Sequence, residues 1–200
     1  MPLGDSITYG VGSTDGAGYR VRLEERLTRA GLMVDFVGSR DAGPPGTDAD
    51  NEGHSGWTIS RIAGKVDRWL AAYRPDVVLL HIGTNDVRTD RYRAGAAKRL
   101  GALLNRIRRD RPAARLFVAR ITGSRQHDLQ RRIDAYNRGV SRLVAARSDP
   151  LLRLVDLGAV RAPWLHPNDA GYDKMADTWF TALTAALPSL RGERQPVVDR

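Results

Sequence analysis

Hydrophobic and polar positions along this chain form two alternating kinds of segment. Short apolar runs, of the length of buried strands, predict strands at residues 1–3, 34–37, 77–81, 116–121 and 152–155. Longer stretches with apolar residues at helical spacing predict helices at residues 17–30, 58–73, 92–109, 129–147 and 170–187. The sequence therefore predicts strands and helices that follow one another in strict alternation.

This alternation is typical of a parallel sheet covered on both faces, because right-handed crossovers carry each helix across the sheet. The predicted fold class is α/β, a three-layer α/β/α sandwich with a five-stranded parallel sheet. Glycine, proline and acidic residues predict a surface loop at residues 41–53. We expect one domain over residues 1–188 and a polar tail at residues 189–200, with ligands bound beyond the carboxyl ends of the strands.

Composition narrows the possible chemistry. The chain has 200 residues with 42% hydrophobic content, enough for a continuous core, and no cysteine, which excludes disulfides and thiol catalysis. No segment approaches the roughly 20 apolar residues of a membrane span. The four histidines lack the close pairing of a zinc site, so we expect neither a metal nor another cofactor. We see no signal peptide, but the abrupt start on a strand suggests missing upstream residues. Secreted and cytoplasmic locations therefore both stay open. The sequence also leaves the oligomeric state open.

The formal net charge of +9 arises from 32 basic residues, of which all but three are arginine. These arginines are distributed over several predicted helices and are not interleaved with aromatic residues, a pattern typical of solvated helix faces. We therefore expect no nucleic-acid partner. A secondary expectation is that the positive field favours an anionic substrate.

Four polar motifs follow predicted strands or precede helices at the edge where such a sheet binds ligands. They are Gly4-Asp5-Ser6-Ile7-Thr8, Glu52-Gly53-His54-Ser55-Gly56-Trp57, Gly83-Thr84-Asn85-Asp86 and His166-Pro167-Asn168-Asp169. Together they supply a serine, a glycine, an asparagine and a histidine. Acyl transfer needs these groups, because serine attacks, histidine accepts its proton, and N–H donors stabilise the oxyanion.

The four motifs, read as GDSIT, SGW, GTND and HP, resemble those of the SGNH or GDSL hydrolases. The longer stretches at residues 51–59 and 166–172 resemble the carbohydrate acetyl esterases within that family. The resemblance implies the flavodoxin-like SGNH fold and assigns the roles of four residues. Ser6 is the nucleophile and also offers its backbone N–H, Gly56 supplies a second backbone N–H, Asn85 supplies its side-chain amide, and His166 is the general base.

One position departs from the family pattern. The family usually carries an aspartate three residues before the histidine, but Pro163 occupies that position here. The Pro163 carbonyl is the leading candidate to orient His166, and Asp156 or Asp169 could substitute. Because a carbonyl orients the ring without supplying a counter-charge, we expect an enzyme that is slow or narrow in substrate.

Three aromatic residues flank the proposed catalytic groups. Trp57, Trp164 and Tyr172 could form a wall for a sugar ring or acyl chain, or could pack beneath the loops. The predicted function is removal of a short acyl group through an acyl-Ser6 intermediate, with acetyl groups on carbohydrates as the expected substrate. Two alternatives remain open. One is a lipase-like or natural-product esterase or acyltransferase with the same site, and the other is a catalytically degenerate binding protein.

Overall fold

The computed structural model describes residues 1–186, except for the side chain of Tyr92. Its strands are β1 (Pro2–Gly4), β2 (Arg40–Asp41), β3 (Asp50–Gly53), β4 (Val77–His81), β5 (Arg115–Arg120), β6 (Gly123–Ser124), β7 (Leu152–Asp156) and β8 (Arg161–Ala162). Its helices are α1 (Ser6–Tyr9), α2 (Arg20–Arg29), α3 (Ile59–Ala63), α4 (Val66–Tyr73), α5 (Thr84–Arg88), α6 (Asp90–Arg93), α7 (Ala96–Asp110), α8 (His127–Ala145) and α9 (Asp169–Ala186). The predicted tail at residues 189–200 lies outside the described part.

The central sheet has strand order β2-β3-β1-β4-β5-β7, and every pair is parallel except β2 with β3. One hydrophobic cluster packs α3, α4, α7 and α8 against one face of the sheet. A second cluster, which includes Leu23, Leu27, Met175 and Trp179, packs α2 and α9 against the other face. The predicted three-layer α/β/α architecture is confirmed. The predicted strand count is corrected from five to six because β2 adds an antiparallel edge.

The second parallel strand is not where the hydrophobic pattern places it. Residues 34–37 form no strand; Phe36 is buried in the core, and its N–H donates to the side chain of Asp48. The strand is instead β3, inside the interval that was predicted to be a surface loop. Its sequence is polar, and Asn51 and Glu52 are nevertheless fully buried because hydrogen bonds satisfy their side chains. A strand of this composition shows no hydrophobic alternation.

Two of the predicted helices are interrupted. The helix predicted at residues 58–73 divides into α3 and α4 at Gly64 and Lys65, where the backbone leaves the helical path. The helix predicted at 92–109 begins only at Ala96, since Gly95 has a φ of +72° and separates α6 from α7. The remaining predicted helices lie within a few residues of α2, α8 and α9.

Candidate active site

Ser6 lies at the carboxyl end of β1, which is flanked in the sheet by β3 and β4. It is the first residue of α1, and the preceding Asp5 caps this helix by accepting the Ile7 N–H at 3.0 Å. Burial raises the pKa of the Asp5 carboxyl to about 7. The Ser6 side chain is 7% exposed, so its hydroxyl is held at the edge of the sheet with limited access to water.

His166 reaches Ser6 from a segment 160 residues away in the sequence. The distance between Ser6 Oγ and His166 Nε2 is 2.9 Å, a hydrogen bond of the kind a nucleophile and its base form. His166 is half-buried. Burial, together with the positive charge of Arg88, holds the pKa of His166 below its ordinary value, which keeps the ring neutral and able to accept a proton near neutral pH.

Packing against the loop after α1 fixes the position of His166. Gly12 has a φ of +98°, and a Cβ built there would lie 2.6 Å from the Pro167 carbonyl oxygen and 3.0 Å from His166 Cβ. Asp169 ties the same loop to the start of α9 by accepting the Thr14 N–H at 3.0 Å and the Thr14 hydroxyl at 2.9 Å. The close approach of Gly12 and the hydrogen bonds from Thr14 to Asp169 therefore hold the histidine segment in place.

The carbonyl that was predicted to orient His166 makes no hydrogen bond to its ring in the described part of the chain. Within residues 1–186, the Ser6 hydroxyl is the hydrogen-bond partner of the His166 ring, and no bond joins Nδ1 to the Pro163 carbonyl. The two alternative carboxylates are engaged elsewhere: Asp156 pairs with Arg120 at 2.8 Å, and Asp169 accepts from Thr14. Pro163 itself is exposed. The described arrangement is a serine–histidine pair whose ring is positioned by packing.

Gly56 lies in a tight turn directly after β3. The Trp57 N–H donates to the His54 carbonyl at 3.1 Å and closes the turn, in which Gly56 has a φ of +76°. A turn of this kind favours glycine because other residues are strained at positive φ. Gly56 is exposed, and its N–H donates to no group in the described residues, so it remains available to a ligand oxygen.

Asn85 is the second residue of α5 and is 6% exposed. Its Nδ2 donates to the Trp57 carbonyl at 3.0 Å, which connects it to the Gly56 turn. A carboxamide has two N–H donors, so one is still free for an oxyanion. The next residue, Asp86, accepts the Ile59 N–H at 2.9 Å and thereby fixes the start of α3 to α5. Both oxyanion candidates therefore belong to one connected unit.

A buried histidine–glutamate pair supports the Gly56 turn from below. His54 Nε2 lies 2.7 Å from Glu52 Oε2, and Glu52 also accepts the Ser39 N–H at 2.7 Å. The His54 ring stacks against both Trp57 and Trp69, with ring centroids 4.3 Å and 4.7 Å away. These contacts give His54 a role in bracing the loop and hold the turn that carries Gly56.

The three predicted wall residues have different surroundings. Tyr172 is fully buried and its hydroxyl donates to the Val11 carbonyl at 2.7 Å, so the prediction that it lines a substrate wall is wrong. The half-buried Trp57 stacks on His54 and has the Arg61 guanidinium 4.6 Å from its ring centroid. Trp164 is 51% exposed and presents the most open ring surface of the three.

Two residues near the site were missed by sequence reasoning. Gly12 supports His166, but nothing in its sequence context distinguishes it from other loop glycines. Arg88 follows Asn85 by three residues and influences His166. Helical spacing alone could have indicated that Arg88 lies beside Asn85. Within the described chain no cluster of three or more possible ligands could hold a metal ion, and none of its helices has the length and apolarity to cross a membrane.

The fold and the site define a class, the α/β/α hydrolases with the SGNH arrangement of motifs. The chain belongs to the GDSL-like Lipase/Acylhydrolase family, whose model matches residues 3–174. It is thus an esterase domain of the SGNH/GDSL type.

Individual relatives agree with this membership. The chain is 30% identical over 238 aligned residues to a multidomain esterase of Ruminococcus flavefaciens, covering 98% of this chain and 29% of that protein. A family 3 carbohydrate esterase from Clostridium thermocellum superposes with a TM-score of 0.85 at 35% identity, covering 96% of this chain and 98% of that one. The acetyl esterase whose serine-to-alanine mutant was crystallised with acetate ion superposes with a TM-score of 0.80 at 28% identity, covering 95% and 98% of the two chains. The chain spans less than a third of the multidomain esterase.

Proposed function

We propose that this domain removes acetyl groups from carbohydrates by way of an acetyl-Ser6 intermediate. The observation that carries the proposal is the 2.9 Å contact between Ser6 Oγ and His166 Nε2. Gly56 and Asn85, which the Asn85–Trp57 hydrogen bond connects, supply the N–H donors that the proposal needs. The carbohydrate and the acetyl group are supported by the family 3 carbohydrate esterase and by the acetyl esterase, which are 35% and 28% identical to this chain.

The acylation step follows from the positions of these groups. Ser6 Oγ attacks the ester carbonyl carbon while His166 Nε2 accepts the hydroxyl proton. The carbonyl oxygen gains negative charge and accepts hydrogen bonds from Gly56 N–H, Asn85 Nδ2 and Ser6 N–H. When the tetrahedral intermediate collapses, the carbon–oxygen bond to the sugar breaks, and the proton on His166 passes to the departing sugar oxygen.

Deacylation repeats the sequence with water in place of the sugar. His166 Nε2 accepts a proton from water as the water oxygen attacks the acetyl carbonyl carbon. The same donors stabilise the second oxyanion. The bond between the acetyl carbon and Ser6 Oγ then breaks, Ser6 Oγ takes the proton from His166, and acetic acid leaves and loses its proton to solvent. We further propose that the exposed Trp164 ring offers a stacking face to the sugar, since sugar C–H groups pack well on aromatic rings.

The substrate class is tested by measuring acetate or longer-chain acid released from matched esters. The panel consists of acetylated xylose and glucose derivatives, the corresponding butyrate and octanoate esters, and an alcohol added as a competing acyl acceptor. We expect acetyl sugars to give the highest kcat/KM and Ser6→Ala to abolish turnover. A preference for octanoate or for the added alcohol would indicate a lipase-like esterase or an acyltransferase. Ligand binding by a folded native protein without turnover would indicate a binding protein.

A further inference from the structure

Arg88 lies on the same helix as the oxyanion donor Asn85. The two residues are three positions apart in α5, so their side chains emerge from one face of the helix about 5–6 Å apart at Cβ. Asn85 is buried against the Gly56 turn, whereas Arg88 is exposed at the last residue of the helix. This arrangement places an exposed cationic residue one helical turn from an oxyanion donor.

The Arg88 guanidinium has no carboxylate partner among residues 1–186, and it donates no hydrogen bond there. Neighbouring arginines do have partners: Arg93 pairs with Asp90 at 3.1 Å, and Arg132 pairs with the same carboxylate at 3.3 Å. The charge of Arg88 instead acts on His166 and lowers the pKa of its ring. A cation whose charge reaches the catalytic histidine, and that has no carboxylate partner among the described residues, can accept a negative charge from a ligand.

The surface beside Arg88 is also basic. A shallow depression lined by Arg93, Asp128, Arg131, Arg132 and Ala135 lies on α6 and α8. Arg132 connects it to the site, because its Nη1 donates to the Arg88 carbonyl at 3.3 Å. Arginines outnumber carboxylates along this path, so an anionic chain that leaves the site in this direction meets favourable charge.

We propose that Arg88 is the anion-binding residue of the active site and that the preferred substrates are acetylated sugars with a carboxylate close to the ester, the uronic acids. The planar guanidinium fork matches a carboxylate with two parallel hydrogen bonds, which fixes the sugar as well as attracting it. This inference rests on the proposed esterase function and specifies its substrate class. Arg88 is here a specificity-determining residue, while Ser6 and His166 remain responsible for the chemistry.

The test compares two esters that differ only in charge. They are the methyl glycosides of glucuronic acid and glucose, each with one acetyl group at the same hydroxyl. We expect the native domain to have the higher kcat/KM for the glucuronate, and Arg88→Gln to reduce the glucuronate-to-glucose ratio about fivefold, the effect of a well-placed exposed ion pair. Arg88→Lys should retain part of the preference for the glucuronate ester. Added salt should lower the glucuronate-to-glucose ratio of kcat/KM for the native domain.

Arg142→Gln is the matched control. Arg142 is an exposed arginine in the last turn of α8, at the opposite end of that helix from the site, and its substitution removes the same charge. We expect its substrate ratio to equal that of the native domain. All ratios are measured at a pH above the titration of His166, because the loss of Arg88 also raises the pKa of that ring for both esters.

The possible outcomes separate the two proposals. A ratio that Arg88→Gln leaves unchanged, or that Arg142→Gln reduces equally, overturns the assignment of Arg88 while the esterase activity stands. A native domain that hydrolyses the glucose ester better than the glucuronate ester likewise overturns the substrate class. Hydrolysis of neither ester by the folded native domain overturns the proposed function and, with it, the uronic acid inference.

Discussion

At the scale of single residues, the site depends on a few atoms whose surroundings differ from those of ordinary surface groups. Ser6 Oγ contacts His166 Nε2 at 2.9 Å, while Gly56 keeps an N–H without a partner among residues 1–186. The four motifs predicted these residue types and their common edge of the sheet. The sequence could not predict the surroundings of Nδ1 on His166, because the Pro163 substitution removes the usual aspartate without indicating what replaces it.

The absence of a hydrogen bond to Nδ1 among the described residues suggests a variant with increased activity. Pro163→Asp places a carboxylate three residues before His166, where it can orient the ring and balance the charge of the imidazolium. We expect kcat to rise by about tenfold, a small part of the roughly 10⁴ that a triad aspartate contributes in serine proteases. Pro163→Asn, which removes the same proline but adds no charge, should give a smaller change. If kcat fell in Pro163→Asp but not in Pro163→Asn, with the fold intact by circular dichroism, the description of the site as a serine–histidine pair would be contradicted.

Gly56 can be tested with a glycine of similar geometry. Gly56 and Gly46 have φ values of +76° and +81°, and a Cβ at either position meets open space. Alanine at either should therefore cost similar stability, about 1 kcal/mol from the strained φ. Only Gly56→Ala should lower kcat, by up to about 10²–10³, because strain in the turn turns the N–H away from the oxyanion. Thermal melts and ester kinetics on both variants measure the two effects, and equal kcat values would remove Gly56 from the oxyanion site.

At the scale of elements, the site is assembled from the ends of strands and the loops that support them. Helical periodicity identified α2, α7, α8 and α9 well, since each buries an apolar face. It failed for β3, whose buried Asn51 and Glu52 are stabilised by hydrogen bonds and give no apolar signal. The loop after α1 likewise gave no indication that it supports His166, because that contact is between distant backbone segments.

The support of His166 by this loop predicts a loss of activity without direct contact to substrate. Gly12→Ala forces a methyl group against the Pro167 carbonyl and His166 Cβ, so the loop and the histidine segment must shift relative to each other. We expect kcat to fall by about 10²-fold, the typical result of a displacement near 1 Å. Gly16→Ala in the same loop is the control, since its φ is +72° and its Cβ meets nothing within 4 Å. Matching kcat values for the two variants would contradict the role of Gly12.

At the scale of the whole molecule, two hydrophobic clusters on the faces of the sheet hold the carboxyl edge in place. The general architecture was predictable from sequence because alternating strand and helix patterns allow few topologies. The antiparallel edge strand was not predictable, since Arg40 and Asp41 are exposed and carry no pattern. The core also encloses a titratable group, His81, whose Nε2 accepts the Thr122 N–H at 3.2 Å.

Burial of His81 makes the fold sensitive to acid. Burial lowers the pKa of this ring to about 4, compared with 6.5 in an unfolded chain. The unfolded state therefore binds a proton that the folded state does not, and the stability present above pH 6.5 is lost as the pH falls toward 4. Between pH 7 and 4.5, we expect the native domain to lose about 2–3 kcal/mol more than His81→Gln. Urea titrations at both pH values measure this difference, and parallel losses would contradict it.

The central claim is that Ser6 and His166 act as nucleophile and base. It is tested most directly by kcat/KM for a short-chain chromogenic acetate ester as a function of pH, in the native domain and in Ser6→Ala. Since burial and Arg88 lower the pKa of His166, the account predicts activity that rises with pH through one ionisation below 6.5, and no activity in the variant. Turnover that persists in folded Ser6→Ala, or that shows no ionisation in this range, would contradict the account.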